Sequence, residues 1–253
     1  MPGVVRDVLE ELLRERVREA AALDATFAAE VAERVADFTL NGGKRLRSQF
    51  LWWGLRACNG GARPGVTDTA LRVAAGLELI QTCALVHDDV MDGSPVRRGK
   101  PALHVALGKR HSSSGAEGTD EAFGRAGAIL AGDLALSWAD DVVAEAWDAT
   151  EVGGEERARV RELWRAMRTE MVAGQYLDLH GQVSRSRAVG DAIRTATLKS
   201  ALYSVERPLA LGAALAGADG RTKSCCTSPL CGHLPCMRGV LLAEALWVET
   251  FTG

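Results

Sequence analysis

Asp88 and Asp92 stand four residues apart, just ahead of the adjacent arginines Arg97 and Arg98, in the segment LELIQTCALVHDDVMDGSPVRRGK from Leu77 to Lys100. On a helix, positions four apart share a face with a rise of about 6 Å. Asp88 and Asp92 therefore project together, while Asp89 lies roughly 100° round the axis. Two convergent carboxylates suit a hard cation such as magnesium (Mg2+), which binds through one or two carboxylates, phosphate oxygens and retained water. Gly93, Ser94 and Pro95 break the helix, and Arg97, Arg98, Gly99 and Lys100 follow on a predicted loop. Guanidinium groups bind phosphate in a bidentate fork, so the segment predicts a metal-bridged diphosphate. The same residues alone also describe a solvated acidic helix end and a basic loop.

A second cluster, Asn41-Gly42-Gly43-Lys44-Arg45-Leu46-Arg47, sets a glycine pair before three cations and then enters an apolar run containing Phe50, Leu51, Trp52, Trp53 and Leu55. Glycines let backbone approach an anion closely, and helix N-termini favour negative charge. The phosphate-binding pattern GxxxxGK[ST] is absent. A helix start carrying surface lysine and arginine is the plainer reading of this cluster.

Together, the GGKRLRS and DDVMDGSPVRRGKPALH segments resemble the trans-isoprenyl diphosphate synthase family, also called polyprenyl synthetases. Further segments agree: AILAGDLALSWA from Ala128, MVAGQYLDL from Met171 and TLKSALYSVERPLALGAALAG from Thr197. The resemblance covers roughly Val4 to Gly217 and is nearest to bacterial geranylgeranyl diphosphate synthases. It implies an all-α fold, an isoprenoid-synthase-type helical bundle around a central cavity.

The resemblance also implies roles. Lys44 and Arg47 would hold the diphosphate of isopentenyl diphosphate, helped by Gln81 and Arg98. Arg97 would contact an allylic diphosphate, farnesyl or shorter, and Gln175 and Lys199 would face the same substrate. Asp88 and Asp92 would bind magnesium, with Asp89 supporting. Gln81 lies two turns before Asp88 on the same helical face, which independently places it near the carboxylates. Ser48 stands where many members have proline, a change expected to be harmless at a helix entrance. Cys83 and Ala84, one turn before the aspartates, would set small side chains at the first level of the tail tunnel and so govern product length.

The chemistry so implied needs no protein nucleophile. The allylic diphosphate ionises, the double bond of isopentenyl diphosphate attacks the carbocation, and a proton is lost, a matter of positioning and electrostatics. In keeping with this, GxSxG, HExxH and GxGxxG are missing from the chain.

The elements that must carry these residues are helical. The 253 residues, 47% of them hydrophobic, can bury a sizeable core. From Val4 to Phe38, Leu9, Leu13 and Val17 and then Phe27, Val31 and Val35 recur at four-residue steps, predicting an amphipathic segment for the core or a dimer face. Helices are predicted over Arg45 to Cys58, Thr67 to Asp92, Glu121 to Trp147, Gly154 to His180, Arg187 to Lys199 and Ala201 to Ala218. Pro208 should kink or interrupt the last. Breaks fall at Asn59 to Val66 and His111 to Thr119, no segment shows sustained strand alternation, and no solenoid repeat is evident.

A formal charge of −3 gives no case for nucleic acid. Charged residues interrupt any apolar run at the N-terminus, so a cytoplasmic protein is predicted, a homodimer or a subunit of a heteromer. Asp140 and Asp141 repeat the acidic pair without a third carboxylate and read as helix surface. His87 fits a supporting or packing role better than ligation among oxygen ligands, and Trp138, Trp147 and Trp164 read as core or interface.

The resemblance stops near residue 218, which divides the chain into a partial family domain over 1–218 and a cysteine-rich tail over 219–253. Family members carry a second aspartate-rich motif of FQLRDD type, and nothing after Gly217 contains an adjacent aspartate pair. The tail instead packs four of the six cysteines between Cys225 and Cys236. Its spacing fits zinc through Cys225 or Cys226, Cys231, His233 and Cys236 poorly, and a disulfide framework fits a cytoplasmic protein worse. Loss of the ancestral sequence, by truncation or a shifted reading frame, is the preferred expectation. Two functions follow: a magnesium-dependent prenyltransferase of geranylgeranyl type, or a non-catalytic member that binds diphosphates or serves as a partner subunit.

Overall fold

The computed structural model describes residues 1–58, 60, 63, 65–111, 119–147, 153–184 and 188–218. The readings for the tail and for the centre of the 111–119 break lie outside the described residues. The chain divides into two compact units, one formed by Met1–Trp52 with Pro64–Val152 and the other by Trp53–Arg63 with Gly153–Gly253.

The first unit holds α1 (Pro2–Leu23), α2 (Ala25–Phe27), a π-helical turn (Ala28–Ala32), α3 (Glu33–Leu40), the start of α4 (Leu46–Ala57), α5 (Val66–Met91), the strands β1 (Val96–Arg97) and β2 (Lys100–Pro101), α6 (Leu103–His111) and α7 (Thr119–Glu145). The amphipathic segment predicted from Val4 to Phe38 is interrupted at Asp24. There the backbone is extended (φ −161°) and the carboxylate accepts a hydrogen bond from Phe27 N at 2.8 Å, an N-cap. The wider π turn then shifts the helical phase. Ala28, Ala32 and Val35 are buried, whereas Phe27 and Val31 of the predicted stripe are only partly so.

Helix α5 is the axis of this unit and packs against α7, α1, α3 and α6. It is apolar over most of its circumference, as a largely buried helix is, with Leu77, Leu79 and Ile80 wholly inaccessible and Asp68 and Arg72 in its first two turns exposed. By length and composition it could cross a membrane, but 72% of its apolar window is buried within the protein. The polar residues that α5 does bury are partnered. Thr82 Oγ1 lies 2.8 Å from Thr39 Oγ1, Glu78 meets Ser48, and Asp89 meets Arg97.

The second unit contains the end of α4, α8 (Gly154–Ser184), α9 (Val189–Ala196), a second π-helical stretch (Thr197–Glu206) and α10 (Arg207–Leu215). Val160, Leu163, Trp164 and Met167 of α8 are buried, as is nearly all of α10. The predicted Pro208 kink takes a specific form. Proline lacks an N–H and clashes with the preceding turn, and the chain accommodates it in the first turn of α10 while the ten residues upstream widen into the π stretch. Trp138, Trp147 and Trp164 are all buried. The strand pair is a small departure from the strand-free expectation.

Candidate functional site

Helix α5 delivers Gln81, Cys83, Ala84, Asp88 and Asp89 in succession and ends with Asp92 as its C-cap. Gly93 follows with φ +62°, a left-handed conformation that glycine adopts without penalty. Ser94 N then donates back to Asp89 O at 3.0 Å, closing the helix end in a Schellman arrangement. Burial differs sharply among the three aspartates. Asp89 is 1% exposed, Asp88 is half-buried and Asp92 is exposed.

The predicted basic loop is a two-residue hairpin. Val96 pairs with Pro101 and Arg97 with Lys100, and the turn residues Arg98 and Gly99 have φ of +53° and +74°, the signature of a type I′ turn. This geometry sends the two arginines to different places. Arg97 Nε donates to Asp89 Oδ1 at 2.9 Å, its Nη2 also reaches Asp89, and the same nitrogen lies 3.4 Å from Asp88 Oδ2. The hydrogen bond to Asp89 holds the Arg97 guanidinium above the usual arginine range against the opposing effect of burial. Arg98 instead donates to Asn41 O at 3.1 Å and Phe38 O at 3.4 Å, with its guanidinium 5.1 Å above the Phe38 ring. Desolvation, and then the nearby Arg97 charge, lower its pKa.

The glycine-rich cluster becomes a turn between α3 and α4. Lys44 is exposed and Arg47 half-buried, while Arg45 between them is buried. Ser48 is fully buried with its Oγ 2.5 Å from Glu78 Oε1. The serine is therefore a structural partner of a buried carboxylate, beyond the harmless substitution expected at that position.

Cys83 is buried, and its Sγ lies 3.7 Å from His87 Nδ1. Desolvation, with the nearby Asp133 charge, pushes its thiol up to about 12. The other ring nitrogen of His87 lies 3.0 Å from Ile129 O on α7, so this histidine braces α5 against α7.

Gln175 and Lys199 belong to the second unit. Lys199, on the π stretch, pairs with Asp178 on α8 at 2.6 Å. A Cβ at Gly174 would come within 2.7 Å of the Lys199 Cα, so the close approach of α8 to this stretch requires glycine there.

Among the described residues no three His, Cys, Asp or Glu side chains converge as a ready-made metal cage. The donor set does fit a cation that completes its shell with water and phosphate oxygens. Asp88 and Asp92 sit at the C-terminal end of α5, where the helix dipole disfavours carboxylates and favours a cation. The second oxygen of buried Asp89 has no hydrogen-bond partner in the protein.

Residues 29–230 match the Polyprenyl synthetase family model. The chain belongs to the polyprenyl synthetase family. It is 34% identical over 186 residues to a farnesyl diphosphate synthase of Geobacillus stearothermophilus, covering 71% of this chain and 54% of that protein. It is 30% identical over 182 residues to a geranylgeranyl diphosphate synthase of Methanosarcina mazei, covering 70% and 47%. The crystal structure of a Corynebacterium glutamicum geranylgeranyl pyrophosphate synthase, complexed with isoprenyl diphosphate and magnesium, superposes with a TM-score of 0.81 at 37% identity. That match covers 88% of this chain and 62% of the other. The fold is thus the all-α isoprenoid synthase fold, and the chain spans about half the length of the two sequence relatives.

Proposed function

We propose that this chain is the diphosphate-binding part of a prenyltransferase that condenses isopentenyl diphosphate with an allylic diphosphate, farnesyl or shorter, to a product of geranylgeranyl type. The observation that carries the reading is the meeting of three features in one unit. Arg97 rests on Asp89 and Asp88, and Arg98 binds the same turn of α3 from which Lys44 and Arg47 follow.

In this reading Lys44, Arg47, Gln81 and Arg98 bind the diphosphate of isopentenyl diphosphate. Arg97 turns toward the allylic diphosphate, with Gln175 and Lys199 assigned to the same substrate. Magnesium held by Asp88 and Asp92 would neutralise charge on the departing diphosphate. Stabilisation of developing charge by preorganised cations is the main way such a site lowers the barrier, and alignment of the two substrates supplies the rest. The exposed Asp92 and half-buried Asp88 are accessible to solvent, as ligands to a partly hydrated cation must be. A cytoplasmic enzyme, assembled as a homodimer or with a partner subunit, belongs to the same reading.

The test is magnesium-dependent binding of inorganic pyrophosphate, measured by calorimetry on the parent chain and on Asp88→Asn. The reading expects binding that needs magnesium and falls by about a hundredfold in the variant, the scale for losing a preorganised electrostatic partner. Binding with unchanged magnesium dependence in Asp88→Asn would refute the site.

A further inference from the structure

Arg45 lies between Lys44 and Arg47, the two cations assigned to diphosphate, yet it faces the other way. It is 8% exposed, and its backbone is left-handed with φ +51°, a region costly for a residue with a Cβ. Strain of this kind persists only where the surroundings over-determine it. The surroundings here are polar and specific. Nη2 donates to Leu40 O at 3.0 Å and reaches Thr39 O at 3.4 Å, and Nη1 lies 3.6 Å from Glu78 Oε2. Glu78 is itself 8% exposed, and its other oxygen meets Ser48 Oγ at 2.5 Å.

A buried carboxylate without a cation is strongly destabilising, so Arg45 and Glu78 fix one another. Glu78 is anchored in the middle of the core helix α5, and the position of Arg45 is set through it. The peptide on either side is held as well. Gln49 Nε2 donates to Lys44 O at 2.7 Å, and Gly42 N donates to Thr39 O at 3.1 Å. The four carbonyls from Phe38 to Asn41 are shared between Arg45, which takes the inner two, and Arg98, which takes the outer two. Cations at the negative end of a helix are favourably placed, and both cationic loops are thereby mounted on the last turn of α3.

We propose that Arg45 and Glu78 are a positioning pair for the diphosphate loop. They do not touch the ligand; they hold residues 41–47 so that the exposed Lys44 and the half-buried Arg47 keep a fixed backbone position. The inference rests on the diphosphate reading of those two residues and adds what keeps them in place.

The pair can be tested in the full chain with Arg45→Met, Glu78→Gln and the double variant Arg45→Met/Glu78→Met. Three quantities are read: melting temperature, affinity for inorganic pyrophosphate with magnesium, and amide hydrogen exchange at residues 41–46. Arg45→Met alone leaves a buried carboxylate and should melt lower. The double variant removes both charges, so its melting temperature should return toward that of the parent. Its loop amides should still exchange at least tenfold faster, and its pyrophosphate affinity should remain at least tenfold weaker. Glu78→Gln, whose single amide oxygen can accept from Arg45 while its NH2 donates to Ser48 Oγ, which in turn can donate to Ala74 O, should keep most of the affinity. Parent-like affinity or parent-like loop protection in the double variant would overturn the proposal. A parent chain that binds no pyrophosphate would refute the proposed function instead, and the exchange comparison would still decide the pair, unchanged protection overturning it.

Discussion

Arg97 donates from Nε to Asp89 Oδ1 at 2.9 Å, so the first guanidinium of the arginine pair rests on a carboxylate that is 1% exposed. The guanidinium at hydrogen-bonding distance offsets the cost of burying the Asp89 side chain, and the arginine is in turn held at the C-terminal end of α5. The middle aspartate thus positions the arginine, while in the proposed reading the metal ion falls to its more exposed neighbours, Asp88 and Asp92.

Asp89→Asn should accordingly lower stability by about 1.5–3 kcal/mol, the range for a hydrogen bond to a charged group, and should weaken pyrophosphate binding. Its magnesium dependence should survive, because Asp88 and Asp92 remain. Denaturant melts and calorimetry on the variant check both statements, and loss of the magnesium dependence would make Asp89 a ligand instead.

The Cys83 thiol, pushed up to about 12 by burial, makes a pH-dependent contribution. The native state holds this proton more tightly than the unfolded chain, whose thiol has its ordinary value of 9.0. The contribution is therefore flat below about pH 9 and is lost as pH rises from there toward about 12. Cys83→Ala should remove that part of the alkaline slope in a comparison of urea melts with the parent. Thiol labelling at about pH 8, followed by peptide mapping, should leave Cys83 unmodified until the protein unfolds. Rapid native labelling would contradict the burial.

How far the sequence could be read depended on the range of the interaction. The aspartate spacing, the glycine stop after Asp92 and the apolar run of α5 are local signals, and the predicted bounds of α4, α5 and α7 lie within about two residues of those found, the usual scatter of helix ends. Asp24 was equally local, an aspartate before Ala-Thr-Phe, but the four-residue apolar steps on either side obscured it. The π turns carried little local warning beyond Pro208. The Arg45–Glu78–Ser48 cluster was invisible because its members are brought together by tertiary packing from elements about 30 residues apart, and the helical periodicity of α5 alone places Glu78 simply on a buried face. Nor could adjacency in the pair Arg97-Arg98 reveal that a type I′ turn would direct one to α5 and the other to α3.

Product length gives a test tied to the proposed reaction. Ala84 is half-buried and one turn before Asp88, whereas Cys83 is 3% exposed. Phenylalanine at Cys83 would chiefly report overpacking, which destabilises by about 1–3 kcal/mol. Ala84→Phe is the cleaner probe of the tail path. With isopentenyl diphosphate as donor it should shift products toward shorter chains, and an unchanged product distribution by chromatography would remove Ala84 from the tunnel.

Turnover by the 253-residue chain itself depends on charge balance at the diphosphate. Its adjacent aspartate pairs are Asp88-Asp89 and Asp140-Asp141. The latter lies on α7 with Asp141 exposed and no third carboxylate at the matching spacing. The family resemblance implies a second aspartate-rich motif completing the metal cluster on the allylic diphosphate. Asp178, another candidate for that task, is paired with Lys199 at 2.6 Å, and Glu244 lies outside the described residues. Two unit charges at 4 Å interact by about 4 kcal/mol at an effective dielectric near 20. Loss of that amount from the transition state alone slows ionisation by about a thousandfold. The exposed apolar residues Val172, Tyr176 and Val183 on α8, with Val189 and Ile193 on α9, should also promote self-association. The purified chain, given magnesium, farnesyl diphosphate and labelled isopentenyl diphosphate, is therefore expected to bind diphosphate but to turn over about a thousandfold below an enzyme with both aspartate motifs. Addition of a segment bearing the second motif, in cis or on a partner subunit, should restore the rate. Full activity of the chain alone would show that another carboxylate closes the site, and an Asp178→Asn variant of it would then identify or eliminate the nearest candidate to Lys199.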